Sequence, residues 1–380
     1  MPALTNASDT RYMALALQLA ERGLYSAHPN PRVGCVVVSE GDIVGCGWHR
    51  RAGEAHAEVN ALAEAGARAR GASVYVTLEP CSHHGRTPPC AQALVDAGVA
   101  RVVVATGDPN PAVAGQGLAL LEAAGIETLS GVLEEPARAL NAGFLRRMAG
   151  GAPWVRLKVA ASLDGRTAMA SGESQWITGP DARSDVQRLR ARSGAIITGS
   201  GTVLDDDPSL TVRPEELGEL GDKTLPPQQP LRVVLDPRLL TAPDARVVTG
   251  EGQCLVVSTA AALEESRARP LRDGGAEVVT VDPDGSGRPA LAAVLGLLAA
   301  RGINDVLIEA GATLAGAALE ADVIDEFWLY QAPTMLGSRA KPMAELALDR
   351  MAQQHRMEVW DRRVVGADQR LILKPAASGH

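Results

Sequence analysis

The sequence predicts two α/β domains in tandem, an expectation carried by three of its features. At 380 residues the chain is long for one hydrophobic core. Short apolar runs alternate with helical patterns along most of its length, as strands layered with helices require. The rhythm breaks at Met148-Ala-Gly-Gly-Ala-Pro153, which sets a boundary between domains at 1–150 and 151–380.

In the first domain, Asp9 is placed to cap a helix running to about Gly23. Val33–Ser39 and Ile43–Trp48, separated by Glu40-Gly41-Asp42, read as a hairpin. A helix is expected from near His56 through Ala69, then a strand at Val74–Leu78, a helix at Cys90–Ala97, a strand at Arg101–Thr106 and a helix at Gly117–Ala124. In the second domain, strands are expected at Val155–Ala161, Ala195–Thr198, Arg232–Leu235, Cys254–Ser258, Glu277–Val281, Asp305–Glu309 and Glu326–Gln331. Arg356–Trp360 and Arg370–Lys374 suit a last hairpin. Helices fit Pro180–Arg192, Pro289–Arg301 and Thr313–Ala321, and the proline- and charge-rich stretch Arg213–Pro230 reads as a surface loop.

Composition narrows the function. The chain is 46% apolar and 22% charged, as a globular protein is. A net charge of −8 with 3% aromatics argues against a nucleic-acid partner, which wants a basic surface and stacking platforms, and favours a small-molecule substrate. Met1–Arg22 lacks the pattern of a secretory leader, and Ala290–Ala300 is too short to span a bilayer. The cysteines Cys35, Cys46, Cys81, Cys90 and Cys254 are odd in number, which points to a reducing cytoplasm where clustered thiols bind metal. Cys35 and Cys46 lie in apolar strand patterns and read as packing residues.

The strongest chemical signal is His56-Ala57-Glu58, then Pro80-Cys81, then Cys90. Zinc takes imidazole nitrogen and thiolate sulfur, and a catalytic site leaves one of its positions for water. His56, Cys81 and Cys90 supply three ligands, and Glu58 is left to move protons. Pro88-Pro89 suit a helix entry, so that Cys90 would open a helix whose N-terminus favours its thiolate. This matches the zinc deaminase signature except in spacing: eight residues, Ser82 to Pro89, separate the cysteines, where the general pattern has two. A purely structural zinc site would need a fourth protein ligand and would not require Glu58.

His-Pro-Asn-Pro-Arg-Val-Gly (28–34), Gly53-Glu-Ala-His-Ala-Glu58 and Thr77-Leu-Glu-Pro-Cys-Ser-His-His-Gly-Arg-Thr-Pro-Pro-Cys90 resemble the bifunctional riboflavin biosynthesis deaminase/reductase family, whose own variant is the long insert between the cysteines. The resemblance covers nearly the whole chain. It implies a cytidine-deaminase-like α/β/α sandwich followed by a dihydrofolate-reductase-like α/β domain. The implied substrate is 2,5-diamino-6-(phosphoribosylamino)pyrimidin-4-one, deaminated at C2 and then reduced at C1′ of its ribose by NADPH. It further implies a cytoplasmic homo-oligomer, a dimer or tetramer. Carried over by resemblance, Asn30, His49, His83, Arg86, Asp108 and Asn110 line the deaminase pocket. Asn30, Asp108 and Asn110 adjoin prolines and serve equally as turn formers, and His49 as a hydrogen-bonded histidine near a strand end.

The second domain has no full dinucleotide fingerprint. Thr198-Gly-Ser-Gly201 is a weak signal alone, and Glu309-Ala-Gly-Ala-Thr-Leu-Ala-Gly316 runs from a strand into a helix N-terminus able to meet an anion. Both read equally as ordinary strand–helix turns. Lys158–Thr167, Ser171–Thr178 and Thr202–Arg213 are similar to the family's reductase half. That similarity places NADPH contacts on Ala160, Trp176, Thr202, Asp206 and the turn Gly311, Ala312, Thr313, Leu314, Ala315, Gly316 and Ala317, with Asp236-Pro237 as the least matched segment. Substrate contacts fall on Ser174, Arg190, Leu210, Arg213 and Glu309. Guanidinium suits phosphate, which favours Arg190 and Arg213, although Arg188–Arg192 on a helix has a solvated face as its default. Asp205–Asp207 serves equally as an exposed turn, and Lys158 and Asp164 carry no assigned role.

Two rival classes remain at this stage. A nucleic-acid base deaminase would share the zinc signature but needs a basic, aromatic face. A silent zinc-stabilised nucleotide-binding protein would have no use for Glu58.

Overall fold

A computed structural model describes residues 7–82, 89–111, 114–217 and 226–376. The chain forms two compact units, one of Met1–Gly151 with Glu219–Pro226 and the other of Ala152–Gly218 with Pro227–His380. In the first, the elements in order are α1 (Ala7–Glu21), β1 (Gly34–Ser39), β2 (Asp42–Trp48), α2 (Ala57–Ala65), β3 (Ser73–Leu78), α3 (Cys90–Ala97), β4 (Arg101–Thr106), α4 (Gln116–Ala123), β5 (Glu127–Ser130), α5 (Glu134–Leu140) and α6 (Ala142–Met148). The sheet order is β2-β1-β3-β4-β5, with β1 antiparallel to both neighbours and β3, β4 and β5 parallel. Glu40 and Gly41, both at positive φ, close the β1–β2 hairpin.

Strands here are buried on both faces, so their sequences read as unbroken apolar runs. Cys35, Val37, Val74, Val76, Val102 and Val104 pack with Ala57 and Ala61 of α2 and Leu94 of α3. Val36, Val38, Tyr75 and Val103 pack on the opposite face with Met13 and Ala16 of α1 and Ala137 of α5. The result is an α/β/α sandwich. Cys35 is buried as expected of a packing residue, while Cys46 is half-buried. Asp9 corrects its expectation: it lies inside α1, fully buried, and its carboxylate accepts from Arg101 at 2.7 and 3.2 Å and from the Tyr75 hydroxyl at 3.0 Å. A buried carboxylate needs a cation and donors more than a helix needs a cap.

The second unit contains β6 (Trp154–Ser162), β7 (Arg166–Ala168), α7 (Pro180–Ala191), β8 (Ala195–Gly199), α8 (Ser200–Asp206), β9 (Leu231–Leu235), α9 (Arg246–Thr249), β10 (Cys254–Thr259), α10 (Glu265–Asp273), β11 (Ala276–Val281), α11 (Leu291–Ala300), β12 (Asp305–Glu309), α12 (Ala312–Glu320), β13 (Glu326–Ala332), β14 (Lys341–Pro342), β15 (Met357–Val365) and β16 (Asp368–Pro375). Nine strands form one sheet in the order β11-β10-β9-β8-β12-β6-β13-β16-β15, parallel from β11 to β13 and antiparallel beyond. Leu295 and Leu298 of α11 and Ala315 of α12 cover one face, and Val186 and Leu189 of α7 with Leu271 of α10 cover the other. β12 runs between β8 and β6, so the order in the sheet departs from the order in the chain beside it. At such a reversal the carboxyl ends of parallel strands leave a crevice for ligands.

The expected surface loop at Arg213–Pro230 contains a 3₁₀ turn, Pro214–Glu216, and buries Leu217; its residues 218–225 lie outside the described set.

Candidate active sites

In the first unit the site is built where two helices start. β2 ends at Trp48, and the chain returns so that His56 becomes the residue preceding α2. This return is close: a Cβ on Gly45 or Gly47 would sit 2.2 Å from the backbone oxygen of Ala61 or Ala57, so only glycine lets α2 lie on β2. β3 leads through Glu79-Pro80 to Cys81, and α3 opens at Cys90, its backbone N–H donating to the Cys81 sulfur at 3.4 Å.

These elements bring His56 Nδ1 within 3.2 Å of Cys90 Sγ and 3.7 Å of Cys81 Sγ. The three donor atoms lie within 4.8 Å of one another, and among the described residues no other histidine, cysteine or carboxylate joins them. Cys81 is held low, at about 4, because it accepts from the Cys90 thiol and, against burial, from His56 and the Cys90 amide. Donating to Cys81 pushes the Cys90 thiol upward, and burial pushes it further. One imidazole and two sulfurs converging in this way fit a zinc ion with a fourth position open.

Glu58 sits in the first turn of α2, 4% exposed, and burial raises its carboxyl to about 7. His49 lies edge-on to His56, with ring centroids 5.4 Å apart. Its Nδ1 meets the Ala55 carbonyl at 3.2 Å, which leaves Nε2 to accept from the Asn30 amide at 3.0 Å. Burial lowers its pKa, so the neutral ring is favoured. Asp108 accepts from the Asn110 backbone at 2.9 Å in the segment following β4. His83 and Arg86 lie outside the described residues.

Sequence reasoning passed over Glu79. Its buried carboxylate accepts from the backbone N–H groups of Asp108 at 3.3 Å, Gly115 at 3.1 Å and Gly117 at 3.1 Å. Its adjacency to Pro80-Cys81 was the available signal.

The second unit brings Lys158 of β6 and Arg190 of α7 to Glu309 at the carboxyl end of β12. Lys158 and Glu309 are direct cross-strand partners, with Nζ and Oε2 3.8 Å apart. Arg190, from α7, closes its guanidinium on the Glu309 carboxylate at 2.6 and 3.0 Å and donates to the Thr211 carbonyl at 3.1 Å. Arg190 is therefore not on a solvated face. Its Nε and Nη2 grip that carboxylate, and Nη1 the Thr211 carbonyl. Burial alone would raise the Glu309 carboxyl, but Arg190 and then Lys158 hold it below the usual range; burial lowers Lys158 against the pull of Glu309. Arg213 is half-exposed and ion-pairs with Glu216 at 3.0 Å.

The positions expected to hold NADPH converge in part. The Gly311 N–H donates to the Thr202 hydroxyl at 3.3 Å, joining the starts of α8 and α12, and Ser174 donates to Asp206 at 3.0 Å. Gly201 is exposed in the first turn of α8, where a Cβ would meet nothing within 4 Å. Trp176 is 68% exposed, with Arg183 4.5 Å over its ring. Asp205–Asp207 is no plain turn, since α8 continues through Asp206. Three positions face inward instead. Ala315 and Gly316 are buried in α12, where Gly316 abuts the Glu345 backbone, and Leu210 packs into the core at positive φ. Asp164 anchors a loop: it accepts from Ser162 at 2.6 Å and from the Leu336 and Gly337 amides at 3.1 and 2.8 Å, and these bonds hold it at about 2.

A zinc-competent cluster on an α/β/α sandwich, joined to a parallel α/β unit with a polar strand-end crevice, defines a two-part deaminase and reductase class. Comparison with known proteins agrees. Residues 6–106 match the cytidine and deoxycytidylate deaminase zinc-binding region, and residues 153–365 match the RibD C-terminal domain. The chain is 51% identical over 366 residues to riboflavin biosynthesis protein RibD of Escherichia coli, covering 95% of this chain and 97% of that one. Acinetobacter baumannii RibD superposes with a TM-score of 0.89 at 48% identity, over 97% of this chain and 99% of that one. A Thermotoga maritima protein described as a diaminohydroxyphosphoribosylaminopyrimidine deaminase/5-amino-6-(5-phosphoribosylamino)uracil reductase does so with a TM-score of 0.84 at 31% identity, with the same coverages. The chain belongs to the RibD family of riboflavin biosynthesis proteins.

Proposed function

We propose that this bifunctional deaminase and reductase of riboflavin biosynthesis acts on the two substrates in the Thermotoga relative's description. The first is 2,5-diamino-6-(5-phosphoribosylamino)pyrimidin-4(3H)-one, deaminated to 5-amino-6-(5-phosphoribosylamino)uracil; the second step reduces the ribose of that product to a ribityl chain. The observation carrying the first step is the convergence of His56, Cys81 and Cys90 with buried Glu58 beside them and no fourth ligand among the described residues.

His56, Cys81 and Cys90 hold the metal, which when bound supplies the Lewis acidity that makes water nucleophilic near neutral pH. Glu58 takes the water's proton and returns it to the departing amine, so that water is consumed and ammonia released. Neutral His49 and Asn30, tied to each other, face the pyrimidine with Asp108 and Asn110. Substrate contacts at His83 and Arg86 rest on the resemblance alone.

In the second unit Ala160, Trp176, Thr202, Asp206 and Gly311–Thr313 hold NADPH. Bound there, NADPH would supply the hydride for C1′ of the ribose, with the accompanying proton taken from solvent, and the protein's share is alignment. Glu309, held by Arg190 and Lys158, and Ser174 face the sugar, while Arg213 is the phosphate contact. Deamination is assigned to residues 1–150 and reduction to residues 151–380. A cytoplasmic homo-oligomer, dimer or tetramer, completes the proposal; among the described residues no helix is long and apolar enough to cross a membrane.

The test is incubation with the diaminopyrimidine nucleotide, with and without NADPH, followed by product mass. Without NADPH the product has exchanged an amine for an oxygen. With NADPH it has also gained two hydrogens, in step with NADPH oxidation. Unaltered nucleotide would refute the proposal.

A further inference from the structure

The loop expected to contact the pyrimidine has its backbone fixed by a side chain that arises next to a metal ligand. Glu79 follows the last residue of β3, its own N–H donating to the Thr106 carbonyl at 3.0 Å, and lies two residues before Cys81. Both its carboxylate oxygens are engaged: Oε2 accepts from Asp108 and Gly115, and Oε1 from Gly117 in the first turn of α4. α4 is preceded by Gly115, which has no side chain to cap it, so Glu79 satisfies amides the helix leaves open. The packing is equally close in the backbone, since a Cβ on Gly117 would fall 2.0 Å from the Pro80 carbonyl oxygen. Asn110, whose carbonyl accepts from Ala114 at 2.8 Å, is thereby held between two amides that Glu79 fixes.

We infer that Glu79 is the positioning residue of the deaminase pocket: it sets the Asp108–Asn110 segment at a fixed place relative to Cys81, and so fixes the bound pyrimidine relative to the metal ligands. This rests on the proposed role of Asp108 and Asn110 as substrate contacts. The residue has to be a carboxylate. Three N–H donors converge on two oxygens, and an amide in its place offers one acceptor and turns an NH₂ group toward at least one of those donors.

The full-length protein carrying Glu79→Gln tests this, with Asn110→Ala measured alongside. Losing a charge-assisted bond to this backbone raises KM for the diaminopyrimidine nucleotide about tenfold, with deaminase kcat and zinc content within about twofold of the parent. Reductase turnover of the deaminated nucleotide stays unchanged, and the retained zinc reports that the deaminase unit is folded. A fall in kcat at unchanged KM overturns the inference, as does a zinc loss that accounts for the lost activity. If Asn110→Ala raises KM and Glu79→Gln does not, the loop binds substrate but Glu79 does not position it. If neither raises KM, the substrate reading of the loop has failed and the inference falls with it. Should Glu79→Gln not accumulate, Glu79→Asp keeps the charge while withdrawing it by one methylene; an intermediate KM supports the inference and the parent's KM sinks it.

Discussion

The two candidate sites are organised by different forces. In the first unit, chemistry sits on short segments of sequence: His56 and Glu58 share one helix start, and Cys81 and Cys90 are nine positions apart. In the second, Lys158, Arg190 and Glu309 come from three separate elements and are assembled by charge, Arg190 and Glu309 being 119 residues apart. The contrast teaches that a site encoded in local spacing tolerates change elsewhere, whereas a site held by buried ion pairs is only as sound as each partner.

Glu58→Gln breaks the first site most sharply. The amide is nearly isosteric but carries no exchangeable acid–base function, so deamination falls about a thousandfold while zinc, assayed by metal analysis, is retained. NADPH oxidation on the deaminated nucleotide continues, and unchanged deamination would refute the assignment. For the second site, Arg190→Ala leaves the Glu309 carboxylate buried with Lys158 as its remaining cation, and costs about 3 kcal/mol in the stability of that unit. Arg190→Lys does not restore it, because an ammonium lacks the fork that grips both oxygens. Denaturant unfolding measures both, and equal stability of the three proteins would count against the ion-pair account.

Acid sharpens the contrast further. Burial alone would raise the Glu326 carboxyl, but Arg156 at 3.0 Å, with Arg192 and the Trp154 and Trp328 indole N–H groups, holds it at about 2. A carboxyl lowered in the folded state contributes stability that is complete above its ordinary value and lost as pH falls through the folded one. The second unit therefore loses on the order of 3 kcal/mol between about pH 4.5 and 2, seen as an acid-dependent unfolding midpoint that Glu326→Gln flattens. The smallest effect belongs to Gly47→Ala. Its methyl meets the Ala57 carbonyl oxygen at 2.2 Å and pushes away the start of α2, at a cost of about 2 kcal/mol, with deamination reduced and the reductase untouched.

The same contrast explains what could be read from the amino acids. Strands such as Val102–Ala105 are covered on both faces and announce themselves as apolar runs, and the metal-competent trio followed from residue type and spacing. Helix α10, Glu265–Asp273, went unread because it is strongly charged and holds Pro270, so it shows little apolar period. The extent of α8, Ser200–Asp206, is not legible, because its glycine and its acidic residues suit turns as well as a helix. Asp9 looked like a cap because its partner Arg101 lies 92 residues away. Glu79 and the Arg190–Glu309 pair share that difficulty: a buried charge is satisfied by whatever the tertiary fold delivers, and nothing in its flanking residues names the partner.

Strand β12 is clamped at both ends by charge, since Asp305 at its start pairs with Arg156 at 2.9 Å and Glu309 at its end pairs with Arg190 and Lys158. A slip of one residue against β6 would strand the carboxylates at both ends together. Misregistered chains are thus penalised twice by a single error, and β12 acts as a proofreading gauge while the sheet zips together.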